Sequence, residues 1–237
     1  MNLFTGLLLI FHFFNGQQTD KYDLSIQADK FFSTYVSEKG VNYTAIKNNP
    51  TELNNLVQII ENATLDLRPK EYKASFYINS YNILVIKTII NNFPVDNPLK
   101  VKGFFDEITH KIAGEELTLN DIENIKLRKD FGDNRIHFAL VCAGKGCPPI
   151  TTKAFFPNSL NDRLQVLATS ALNNPHFIRV DNKSKKVEIS QIFEWYQGDF
   201  GKNMDEVIQY INQYRKIPIP LNYTKGYYEY DWSLNGF

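Results

Sequence analysis

ASFYINSYNILVIKTII, residues 74–90, is apolar around almost its whole helical circumference, and Lys87 is its one charged residue. A helix with that pattern needs protein on every side, so the spacing predicts a buried helix from about Pro69 to Asn92, stopped by Pro94. Ser75, Asn79 and Asn82 recur at i, i+4 and i+7 and share one face of it. Carboxamides buried there cost free energy unless hydrogen-bonded. Either the stripe bridges to the backbone of a neighbouring loop, or Asn79 and Asn82 orient a reacting group in a cleft.

Working outward, residues 23–37 and 45–62 show helical spacing, and Gly40 supplies a stop between them. Beyond the central helix, Leu99–Phe105 and Arg135–Cys142 read as strands. A helix between them is opened by a capping box at Thr118 and Asp121. Residues 158–173 continue as helix, 177–190 alternate about a polar turn as a hairpin, and helices near 191–197 and 203–214 precede a tail ending in YYEYDWSLNGF. The expected fold class is therefore α+β: a single domain with a small mixed or antiparallel sheet packed against several helices around a buried helix near 70–92.

The 237 residues suffice for a core without staples, since a chain of this size buries about 70% of its unfolded surface. Lys plus Arg and Asp plus Glu balance at 26 each, so no bulk positive field favours nucleic acid. The apolar run Leu3–Phe14 has the length of a signal-peptide core and is too short to span a bilayer. Residues 1–18 are expected to be a signal peptide and 19–237 one globular domain, exported and without stable membrane insertion. N-x-S/T triplets at Asn42, Asn62, Asn182 and Asn222 bear on this only in a eukaryotic secretory pathway.

RIHFALVCAGKGCPPI, residues 135–150, holds both cysteines and His137. A nucleophilic thiolate needs an imidazolium, a cation or a helix N-terminus nearby, plus donors for an oxyanion. Cys147 sits in a loop offering the amides of Gly144, Lys145 and Gly146. On a regular strand, His137 and Cys142 would point to opposite faces about 16 Å apart, which leaves Cys147 as the thiol free to reach His137, His110 or His176. The competing readings are a short-loop Cys142–Cys147 disulfide, a redox-active pair and inert buried thiols. Two cysteines and His137 lack the close ligand pairs of a zinc site, so neither metal nor cofactor is expected.

Asp121 and Glu123 suit the first turn of a helix. The aromatics Trp195, Tyr196, Tyr227, Tyr228, Tyr230 and Trp232 either line a carbohydrate or peptide groove or fasten the tail to the core. His110 reads as a surface residue.

The run FYINSYNILVIKTIINNFPV, then KIAGEELTLNDIEN and LR, then RIHFALVCAGKGCPPI and finally YDWSLN, resembles the bacterial and plant family catalogued as domain of unknown function 547. The resemblance spans roughly residues 25–235. Asn79, Asn82, His137, Cys142 and Cys147 match its motifs, whereas the family usually has His where this chain has Asn124. It implies a domain without an assigned reaction. Two function classes follow. One is a cysteine-dependent acyl transferase or amide hydrolase, by analogy with transglutaminase-like and papain-like proteins, with Cys147 as nucleophile, His137 as base and Asn79 or Asn82 as orienter. The other is a non-catalytic module in which a Cys142–Cys147 disulfide shapes a loop recognising a peptide, protein or small molecule.

Overall fold

Helix α4, Lys70–Asn92, runs through the centre of the fold, and sixteen of its residues from Ala74 to Ile90 are buried. The computed structural model describes residues 24–237, so the expected signal peptide lies outside the described residues. The helices that precede α4 pack on it: α1 (Leu24–Tyr35), α2 (Tyr43–Asn48) and α3 (Thr51–Glu61). The expected single helix over 45–62 is thus two. Pro50 has no N–H to donate and pushes Asn49 to an extended conformation, φ −139° and ψ 85°, which ends α2.

The strand expected at Leu99–Phe105 is absent. Asn97 accepts a hydrogen bond from the Leu99 N–H, Pro98 opens a 3-10 turn through Lys100, and a chain of tight turns follows, including Gly103 at φ +66°. A side chain that caps the backbone offers it an alternative to a sheet ladder. A hairpin of β3 (Thr109–Ile112) and β4 (Glu115–Thr118) comes next. It leads through the expected Thr118/Asp121 capping box into α5 (Leu119–Asp121) and a π-helix, Ile122–Phe131.

Arg135–Cys142 is not a strand either. Asp133 accepts from the Arg135 N–H and opens a 3-10 helix, Asn134–Phe138. The following residues take a partner other than a strand: the Asn82 carboxamide donates to the Ala139 carbonyl and accepts from the Val141 N–H, both at 2.9 Å. One side chain supplies the donor and acceptor that a neighbouring strand would have supplied. Parity along a strand therefore does not separate His137 from Cys142.

The second half holds α6 (Leu160–Asn173) and a three-stranded mixed sheet. Strands β5 (Ile178–Asp181) and β6 (Lys186–Ser190) form the expected antiparallel hairpin. Strand β7 (Thr224–Tyr228) lies parallel to β6, with Ser190 opposite Tyr228, although the sequence there reads as tail. Parallel strands need a long crossover. It is provided by α7 (Ile192–Trp195), α8 (Gln197–Phe200) and α9 (Met204–Asn212). The fold is α+β, a single domain built on a buried central helix with a small mixed sheet.

Two apolar cores result, one around α4 and one around β5–β6 with α6 and α9. Segment 136–140 runs along their junction: Ile136, Ala139 and Leu140 pack into the first and Phe138 into the second. The last residues thread between β2 (Gly40–Val41), which pairs with β1 (Val36–Ser37), and the cysteine loop. Val41 N–H donates to Asn235, Asn235 N–H to Ala143, Lys145 N–H to Ser233 and Gly146 N–H to Asp231. Gly40, at φ +97°, is required there, because a Cβ would collide with the Asn235 carbonyl. Among the described residues no helix is long and apolar enough to cross a membrane.

Candidate functional site

A cavity of about 240 Å³ opens at the junction of the two cores. Tyr81 of α4, Asn120, Glu123 of the π-helix, His137 and Leu140 line one side, and Ile192, Trp195, Tyr196, Tyr230 and Trp232 the other; Phe105, Cys142 and Cys147 complete it. Burial of the two half-cores forces these elements together, so the wall is assembled from residues more than 150 positions apart.

The charged floor is built outward from His137, which is 4% exposed. Its Nε2 lies 2.7 Å from Asp199 Oδ2, and its Nδ1 is 3.7 Å from Glu123 Oε1. Arg128 donates to Asp199 through Nε at 2.6 Å and Nη2 at 2.8 Å, a bidentate fork. Asp199 is brought here by Asn134, whose side chain donates to the Asp199 carbonyl at 2.8 Å and accepts from the Tyr210 hydroxyl at 3.1 Å. The hydrogen bond from His137, followed by that from Arg128, holds the Asp199 carboxyl well below the usual carboxylate range against the opposing effect of burial. The Asp199 bonds in turn raise Arg128 above its ordinary value.

Glu123 has a different environment. It shares the cavity wall with the phenols of Tyr81 and Tyr196. Burial pushes both phenols above their usual range and the Glu123 charge pushes them further, so they remain neutral. Tyr196 also packs on the His137 ring, with centroids 4.3 Å apart, and Arg128 covers its face at 4.9 Å.

Cys142 and Cys147 are joined as a disulfide, with Cα atoms 6.5 Å apart, a normal span for that bond. The Cys142 N–H donates to Cys147 Sγ at 3.0 Å, and the Tyr230 hydroxyl stands 2.9 Å from Cys147 Sγ and 3.0 Å from Cys142 Sγ. Tyr230 is buried, which raises its phenol pKa. Gly146 allows this approach, since a Cβ there would lie 2.8 Å from the Tyr230 ring. The amides of Lys145 and Gly146 are bonded to the C-terminal segment, and exposed Lys145 is not part of the cavity wall. Above the bond, Trp195, Tyr230 and Trp232 pack against one another at 4.7–5.7 Å between centroids.

The structure thus brings His137, Cys142 and Cys147 to one cavity, but not Asn79 or Asn82. Asn79 donates to the Phe155 carbonyl at 2.8 Å and accepts from the Phe155 N–H at 2.9 Å, while Asn82 binds Ala139 and Val141. Both carboxamides are used on backbone. His110, on β3 opposite Leu117, is half-buried, and burial lowers its pKa; it stands outside the cavity with exposed His176. Asn124 accepts from Arg128 and donates to the Asn120 side chain.

Sequence reasoning missed Asp199 and Arg128 and gave Glu123 only a helix-terminal role. Glu123 and Arg128 had a local signal, lying together in the segment DIENIKLR just before the histidine. Asp199 had none, being 62 residues from the imidazole it binds.

No curated protein and no solved structure matches the chain. A family model does match residues 65–170, a narrower span than the motifs suggested, which includes Tyr81, Glu123, Arg128, His137 and both cysteines but not Tyr196, Asp199, Tyr230 or Trp232. Over those residues the chain resembles the family described as protein of unknown function, DUF547.

Proposed function

We propose that this chain is an exported binding domain whose ligand enters the aromatic cavity between Trp195, Tyr230 and Trp232, with the Cys142–Cys147 disulfide as a fixed part of the wall. The observation that carries this reading is that each sulfur is bonded to the other and both face the Tyr230 hydroxyl. A nucleophile must be a free thiolate, and the disulfide offers none. A small concave site with aromatic walls and a few convergent polar groups is the usual form of a ligand pocket. Export accords with the disulfide, because such bonds persist in oxidising compartments.

The thiol-enzyme reading retains one supporting observation, the presence of Cys147 and His137 on the same cavity. It requires reduction first. Free-thiol titration of unreduced, full-length protein separates the two: a count of zero is expected. One or two thiols alkylated by iodoacetamide well below pH 8 would overturn the binding-domain reading and favour Cys147 as nucleophile with His137 as base.

A further inference from the structure

Glu123 is 9% exposed, and its side chain forms part of the cavity wall. A carboxylate at that depth calls for a countercharge. Arg128 has its fork on Asp199 at 2.6 and 2.8 Å and acts on Glu123 only through space. His137 also directs its short contact, 2.7 Å, at Asp199, and its other nitrogen stops 3.7 Å from Glu123, beyond hydrogen-bond range. The groups beside Glu123 on the cavity wall include two neutral phenols, Tyr81 and Tyr196. Among the described residues no lysine or arginine lines the cavity.

The rest of the wall suits a positive charge. Trp195, Tyr230 and Trp232 form a continuous aromatic surface from the rim inward, and Trp195 is 46% exposed at the mouth. Aromatic faces attract ammonium groups, and desolvation strengthens that attraction. The same rings would cover the methylenes of an alkyl stem. A cavity of about 240 Å³ has room for one such chain but not for a large ligand.

We propose that the cavity is an alkylammonium site: a primary amine enters past Trp195 and Trp232, lays its alkyl stem along the rings and places its NH₃⁺ at the Glu123 carboxylate. This rests on the binding-domain reading and gives its ligand a chemical class. A free amine and a lysine side chain present the same group to the site.

The test is titration of the full, unreduced protein with butylammonium chloride, followed by tryptophan fluorescence and calorimetry, with 1-butanol and butyrate as matched neutral and anionic probes. Nα-acetyl-lysine methylamide serves as the peptide-like arm. Saturable binding of butylammonium is expected, with 1-butanol at least about tenfold weaker and butyrate not bound. Tighter binding of the lysine derivative would assign the site to a protein ligand, and equal or weaker binding to a small amine. Glu123→Gln should weaken butylammonium about tenfold while leaving 1-butanol unchanged. Trp195→Leu, at the rim where the ring is 46% exposed, should weaken butylammonium about threefold.

The ammonium assignment is overturned if 1-butanol binds as well as butylammonium, or if Glu123→Gln and Trp195→Leu both leave the cation affinity intact; the cavity would still be a ligand site. Binding of none of the four probes would remove both the ammonium assignment and the pocket reading.

Discussion

Replacing Asn82 by leucine isolates what the polar stripe of α4 does. Asn82 is 3% exposed, and its carboxamide is the partner of the Ala139 carbonyl and the Val141 N–H, themselves in residues 3% exposed. Leucine has nearly the same volume but leaves both backbone groups unpaired. Each costs about 1–3 kcal/mol, or about 2–6 kcal/mol for the pair, and the extra apolar burial returns roughly 1–2 kcal/mol. A net loss of about 3 kcal/mol is expected, which for a domain of this size lowers Tm by about 6–12 °C. Asn82→Asp is the sharper companion: it keeps the acceptor for Val141 N–H but sets a carboxylate oxygen against the Ala139 carbonyl, so it should be at least as damaging. The assay is urea unfolding of unreduced protein, read by tryptophan fluorescence and by near-ultraviolet circular dichroism, whose coincidence checks two-state behaviour. If Asn82→Leu stays within about 0.5 kcal/mol of the parent, the backbone-clamp reasoning is wrong. Unchanged stability with lost ligand binding would instead put Asn82 in the chemistry of the cavity.

Cys142→Ser with Cys147→Ser opens a loop of sequence separation 5, so chain entropy predicts a loss of only about 2 kcal/mol by denaturant unfolding. A loss above about 5 kcal/mol would mean that the bond does more than close a loop. Asp199 is held low in the folded state, so its contribution is full above the unfolded carboxylate value near pH 4 and falls away as pH drops through the lower folded value. Asp199→Asn should therefore destabilise at pH 7 and flatten the loss of stability below about pH 4, and parallel pH profiles for parent and variant would refute the His137–Asp199–Arg128 arrangement. Gly146→Ala forces a Cβ to 2.8 Å from the Tyr230 ring; a cost of about 1–3 kcal/mol and a shifted tryptophan emission are expected, and an unchanged spectrum would argue against that packing.

Much of the chain was legible because local patterns decided it. The all-round apolar run of α4, the Thr118/Asp121 box and the 178–190 hairpin each follow from interactions within a few residues, and all three form as the spacing predicts. Arg135–Cys142 misled for a reason that lies elsewhere in the chain: a run of apolar residues reads as strand when its backbone partners are taken to be another strand, and here one partner is the Asn82 side chain. Likewise, TKGYY reads as tail because its partner, β6, lies across a crossover of three helices.

By itself the sequence determined the α+β class, the buried helix, the family resemblance and the importance of residues 135–150, since composition, periodicity and motif order are local properties of the chain. It could not determine the electrostatic floor. The partners of His137, and the arrangement that matches Arg128 to Asp199 and sets the Tyr81 and Tyr196 phenols on the cavity wall with Glu123, depend on distances between segments up to 73 residues apart. Those distances exist only once the two apolar cores have closed on the segment between them. Hydrogen bonds need contact at about 3 Å and Coulomb energy weakens as the separation grows, so the cavity and its charge belong to the tertiary structure.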